Sequence, residues 1–108
     1  MTTKPTIDMS AHEWLIVFGL LQKHIPDKLV WAFGSRAKMT AKKFSDLDLV
    51  ILADEPLAIQ TLSALADDFS ESDLPWKVDL VDWASTGEAF RKIIEQNKVV
   101  VQTPHSPC

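Results

Sequence analysis

Three apolar runs constrain this chain more than any other feature: Lys28–Phe33 (KLVWAF), Asp46–Ala53 (DLDLVILA) and Trp76–Trp83 (WKVDLVDW). Each is too short for an ordinary helix and is rich in β-branched or aromatic residues, so each is expected to form a strand. The first two are separated by only twelve residues. That gap is too short for a long crossover helix, which disfavours a regular doubly wound repeat. The expected architecture is α+β, a small mixed sheet with helices packed on one face.

The helices are read from caps and periodicity. Ser10 and Glu13 have capping-box spacing, and Trp14, Leu15, Val17, Phe18, Leu20, Leu21 and Ile25 recur at helical intervals before Pro26. Ser35 can cap a short helix reaching about Met39. Asp54-Glu55-Pro56 has the order of a helix start, followed by an inward stripe from Leu57 to Phe69. Ser85 and Glu88 repeat the capping-box spacing and predict a last helix carrying Phe90, Ile93 and Ile94 to Gln96. Val99–Val101 can add an edge strand, after which Pro104 and Pro107 release a tail, 103–108, expected to be flexible.

At 108 residues the chain is the size of one domain, residues 1–108. Its charged fraction of 24% and hydrophobic fraction of 46% are those of a globular protein and exclude a disordered one. A net charge of −4 gives no general field for gripping a nucleic-acid backbone, so direct nucleic-acid binding is not expected. The single cysteine, Cys108, excludes a disulfide framework and a thiolate cage, which fits a reducing, cytoplasmic setting. No stretch approaches the roughly 18–20 apolar residues of a membrane span, and a soluble protein is expected. His12, His24 and His105 lack metal-ligand spacing with one another or with cysteine. Four tryptophans, Trp14, Trp31, Trp76 and Trp83, suggest core positions with one or two in a partner interface, helix one being the candidate patch.

The candidate chemistry lies in Asp46-Leu-Asp48. Residues two apart on a strand share a face, so these carboxylates project together and repel unless a cation compensates. Mg²⁺ takes carboxylate oxygens and leaves positions for water and phosphate. Asp79, inside VDLVD, can join them if its strand pairs with theirs. Three carboxylates can hold two ions about 3.5–4 Å apart, the arrangement that clamps a phosphoryl displacement. Asp82 competes for the third place, although strand alternation puts it on the face opposite Asp79. Upstream, Gly34-Ser35 ends a strand and opens a short helix, where backbone N–H groups favour anions. Arg36, Lys42 and Lys43 bring positive charge between this turn and Asp46 and are candidate phosphate contacts.

Gly34-Ser35, ten intervening residues and Asp46-Leu-Asp48 together resemble the signature of the DNA polymerase β-like nucleotidyltransferases, in particular the minimal nucleotidyltransferases (MNT). The resemblance spans about Val30 to Trp83. It implies that Gly34 and Ser35, with Arg36 and Lys43, hold the phosphates of ATP. It further implies that Asp46, Asp48 and Asp79 are the catalytic, metal-binding carboxylates for two Mg²⁺ ions. Short members of this kind are antitoxins paired with a HEPN-domain toxin, which some inactivate by transferring AMP to a toxin tyrosine. The chain resembles these, without the added helical domain of larger members, so a HEPN partner is expected to supply the missing wall. It contains no tyrosine, which places any tyrosine acceptor on the partner.

The rival function is a binding module that masks the toxin without chemistry. A phosphohydrolase is disfavoured because the apolar run follows the aspartate pair, where a nucleophilic aspartate would follow the strand. A glycosyltransferase DxD site gives no reason for the Gly-Ser turn at this separation.

Overall fold

A computed structural model describes residues 4–104. The elements run α1 (Ala11–His24), β1 (Leu29–Phe33), α2 (Gly34–Ala37), β2 (Leu47–Leu52), α3 (Ile59–Glu71), β3 (Val78–Asp82), a 3₁₀ turn (Trp83–Ser85), α4 (Glu88–Asn97) and β4 (Val99–Gln102). The four strands form one mixed sheet in the order β3-β2-β1-β4. β1 is antiparallel to both β2 and β4, while β2 and β3 are parallel, as their connection through α3 permits. The mixed α+β sheet expected from the three apolar runs is the fold observed.

Alternation along the strands assigns the two faces. Val30, Ala32, Leu47, Leu49 and Ile51 are buried with Trp14, Val17 and Leu21 of α1 and Leu65 and Phe69 of α3. Removing each such aliphatic side chain from water stabilises the fold by about 1.5–3 kcal/mol. The opposite face carries Phe33 and Val50 with Ile94 of α4, and Trp31, Leu52, Val81 and Trp83 around them. Helices therefore do not all lie on one face. Phe33 and Val50 leave apolar surface on the second face, and α4 covers part of it.

The Ser10–Glu13 capping box forms as read, with Glu13 N–H donating to Ser10 Oγ (3.1 Å) and Ser10 N–H to Glu13 Oε1 (2.8 Å). Three other helix starts differ. The Leu57 N–H donates to Asp82 Oδ2 (3.1 Å), and α3 begins only at Ile59. Asp82 also accepts from Ala84 N–H and so caps the 3₁₀ turn; α4 then starts at Glu88 behind Gly87, without the Ser85 box. α2 starts at Gly34 itself, with no side-chain cap from Ser35. On helix one, Trp14 is buried against Phe18 (5.2 Å between rings), so it forms no exposed aromatic patch; Leu15 is the large apolar side chain exposed there. β4 forms the expected edge strand. Residues 103 and 104 are irregular, and the rest of the expected flexible tail, with His105 and Cys108, lies outside the described residues.

Candidate nucleotidyl-transfer site

The register of the sheet places the acidic residues. Asp48 is opposite Asp79 across the parallel β2–β3 pair and opposite Phe33 across the antiparallel β1–β2 pair. Because Leu47 and Leu49 turn into the α1/α3 core, Asp48 projects from the other face, as does Asp79 between Val78 and Leu80. Asp46 stands two residues before Asp48, exposed at the entrance to β2. Asp82 falls on the α3 side, where its carboxylate is occupied by the N–H groups of Leu57 and Ala84. The competition between Asp79 and Asp82 is thus resolved by side-chain direction: only Asp79 lies beside Asp48.

Burial first, then the neighbouring Asp79 and Asp46 charges and a hydrogen bond with Asp79, push the Asp48 carboxyl up to about 6. Two adjacent carboxylates that cannot both ionise freely share a proton or attract a cation. Among the described residues no three His, Cys, Asp or Glu side chains converge closely enough to ligate one ion as they stand. The built part of the site is the Asp48–Asp79 pair, with Asp46 at its rim. Its all-oxygen donor set suits a hard divalent cation such as Mg²⁺.

Gly34 directly follows the β1 residue that pairs with Asp48. Its φ is +76°, a left-handed conformation that side chains disfavour, and a Cβ there would overlap Asp48 Oδ2. The glycine therefore does two things: it turns the chain out of β1, and it lets a carboxylate lie against the turn. Ser35 follows, half-buried, its carbonyl accepting from Thr40 N–H (2.9 Å).

Arg36 departs from expectation. Its side chain is 4% exposed and donates to three backbone carbonyls: Nε to Ser45 (2.9 Å), Nη1 to Asp8 (2.7 Å) and Nη2 to Lys43 (3.3 Å). The guanidinium also lies 4.3 Å from the Trp76 ring centroid. It is a clamp joining the segment before α1, the Gly-Ser turn and the loop before β2, and it is not presented to a phosphate. Lys42 and Lys43 are exposed on that loop, with the Lys43 ammonium 5.3 Å from the Phe44 ring.

A cleft of about 630 Å³ adjoins the acidic group. It lies between the C-terminal half of α3, residues 74–77 and the loop before β2, and it is lined by Asp46 and Asp79 together with Phe44, Phe69 and Trp76.

The family described as "Polymerase beta, Nucleotidyltransferase" matches residues 18–106. The chain belongs to that family. This nucleotidyltransferase is 53% identical over 102 residues to the Probable protein adenylyltransferase MntA of Haemophilus influenzae, covering 94% of this chain and 90% of the relative. It superposes with a TM-score of 0.70 on a chain of a toxin-antitoxin crystal structure with AMP-PNP, at 27% identity, covering 85% of this chain and 74% of that one. A third similarity is to a chain in the complex of tri-AMPylated Shewanella oneidensis HEPN toxin with MNT antitoxin. The TM-score there is 0.66 at 25% identity, over 88% of this chain and 73% of the other.

Two parts of the nucleotidyltransferase site were missed by reading the sequence. Trp76 was read as one more core tryptophan, and Phe44 carried no signal, since a lone aromatic in a basic loop has no periodicity. Contact with the Arg36 guanidinium at 4.3 Å and 66% exposure, respectively, set them apart.

Proposed function

We propose that this nucleotidyltransferase transfers AMP from ATP, with Mg²⁺, to a tyrosine hydroxyl of a HEPN-domain partner and thereby acts as the antitoxin of that toxin. The observation carrying the proposal is the Asp48–Asp79 pair lodged against the side-chain-free Gly34. The names of the relatives, a protein adenylyltransferase and an MNT antitoxin in complex with an AMPylated HEPN toxin, support the acceptor and the partner.

In this reading Asp46, Asp48 and Asp79 would hold Mg²⁺, which when bound offsets their repulsion and draws electrons from the phosphate oxygens. The Gly34-Ser35 backbone receives the β- and γ-phosphates, and Lys43 adds attraction from the exposed loop. Asp79 accepts the acceptor's hydroxyl proton. The phenolic oxygen forms a bond to the α-phosphorus, the bond from that phosphorus to the β-bridging oxygen breaks, and pyrophosphate leaves. The chain works as one minimal domain in a cytoplasmic hetero-oligomer whose partner completes the acceptor side. No helix among the described residues is long and apolar enough to cross a membrane.

The test is incubation of the chain with its HEPN partner, Mg²⁺ and ATP labelled at the α-phosphate. Label on a partner tyrosine that Asp48→Asn abolishes is the expected result. Toxin neutralisation that persists in the double variant Asp46→Asn, Asp48→Asn, with no label on the wild-type complex, would replace transfer with masking by binding.

A further inference from the structure

The search covered the groove beside α1 bearing Leu15, the α4 surface with Phe90 and Ile93, the β4 edge and the cleft beside Asp79. The cleft joins directly to reacting groups and is argued through here.

We infer that this cleft is an acceptor subsite for an aromatic hydroxyl, a tyrosyl side chain of the partner protein. The inference rests on the proposed nucleotidyl transfer and adds where the acceptor enters and what selects it.

The sheet order supplies the direction. The phosphate turn lies at the end of β1, Asp48 on the central β2 and Asp79 on β3, so the three form a line across the sheet. Attacking and leaving oxygens stand on opposite sides of the phosphorus in an in-line displacement. With pyrophosphate at Gly34-Ser35, the hydroxyl arrives from the β3 side, and there the cleft adjoins Asp79 and Asp46.

The walls supply the chemistry. Phe44 is 66% exposed at the rim, and Trp76 is held by the Arg36 guanidinium 4.3 Å from its ring. Ala66 and Ser70, small side chains on α3, leave the opposite wall open. A volume of about 630 Å³ falls within the usual range for small-molecule pockets, about 300–1,000 Å³. An aromatic ring buries itself between such walls while its hydroxyl meets a carboxylate, whereas a serine or threonine hydroxyl reaches the carboxylate with nothing to fill the cleft. The chain has no tyrosine of its own, so nothing internal competes for the place.

The experiment uses NMR of the full chain with Mg²⁺, with and without a non-hydrolysable ATP analogue. The probes are N-acetyl-tyrosinamide and N-acetyl-serinamide at millimolar concentration. The tyrosyl probe is expected to shift the resonances of Phe44, Ala66, Ser70 and the Trp76 indole, and to bind at least about fivefold more tightly than the seryl probe. Filling the cleft from its exposed helix wall, by Ala66→Phe or Ser70→Phe, is expected to weaken the tyrosyl probe about tenfold and the analogue less than about twofold. Circular dichroism confirms that both variants fold.

The subsite is overturned if the tyrosyl probe does not bind, binds elsewhere, or binds both filled variants as it binds wild type. It is also overturned if the adenine of the analogue shifts these same residues, since the cleft would then seat the base. A tyrosyl probe bound in the cleft of a chain that takes no Mg²⁺ and nucleotide would uphold the cleft and remove the transfer reading. Nucleotide bound without the probe would do the reverse.

Discussion

The Asp48 carboxylate occupies the space that a side chain on Gly34 would fill, and the φ of +76° at Gly34 is the backbone conformation that permits it. Gly34→Ala forces a left-handed alanine, at a cost of roughly 1–2 kcal/mol, and displaces the carboxylate. Urea unfolding is expected to show at least about that loss. Transfer activity is expected to fall about 100-fold, the scale on which small misplacements act. Full activity in the variant would show that the contact does not position Asp48.

Asp48 also sets a pH dependence. Its folded value of about 6 lies above the ordinary 3.8, so between those values the folded protein keeps a proton that the unfolded chain has lost. The stability this group contributes is present below about 3.8 and is lost as pH rises through about 6. Two units correspond to about 3 kcal/mol, which solvent screening at a half-exposed carboxyl reduces to about 1 kcal/mol. Asp48→Asn is therefore expected to raise stability at pH 7 by about 1 kcal/mol and to flatten the slope between about pH 4 and 6, while abolishing transfer. Urea titrations across that range check the slope. By the same linkage, Mg²⁺ affinity measured by calorimetry should weaken below about pH 6, as the cation competes with a proton.

Arg36 is expected to behave as a structural clamp. Arg36→Lys cannot reproduce three donations in a planar fork together with contact to Trp76, and it leaves buried carbonyls unpaired. The expected loss is about 2–4 kcal/mol in urea unfolding, the scale of a broken buried charge network. Nucleotide affinity of the folded fraction should change little. A selective rise in nucleotide KM at unchanged stability would restore Arg36 as a phosphate contact.

Asp79 and Asp82 separate chemistry from structure. Asp79→Asn is expected to lower transfer at least about 100-fold with little effect on unfolding. Asp82→Ala removes the acceptor of the Leu57 and Ala84 N–H groups and is expected to cost about 1–2 kcal/mol while the folded enzyme keeps its activity. Exchange of these two outcomes would reverse the assignment.

The sheet and the acidic pair were legible in the sequence because period-two alternation is a local property: Leu47 and Leu49 inward leave Asp48 outward, whatever lies beyond. The Ser10–Glu13 box was legible for the same reason, its two partners being three residues apart. What escaped is non-local. Asp82 takes the Leu57 N–H from 25 residues away, so α3 starts later than Asp54-Glu55-Pro56 suggested. Gln102 is buried and donates to the carbonyls of Ile25 and Lys28 (2.7 and 2.8 Å), tying the end of α1 to β4 across more than 70 residues. Arg36 looked like a phosphate ligand because its motif neighbours are; only folding brings it under Trp76 and beside Asp8. α4 was expected with the other helices because nothing in its own stripe records which face of a sheet it will cover.

Asp8 and Arg36 exchange two bonds, Asp8 N–H to Arg36 O (2.9 Å) and Arg36 Nη1 to Asp8 O (2.7 Å). The stretch ahead of the first helix is thereby stitched to the underside of the catalytic turn. Trimming the chain through Asp8, or threading a fusion through that stretch, would be felt in the active centre as surely as a substitution within it.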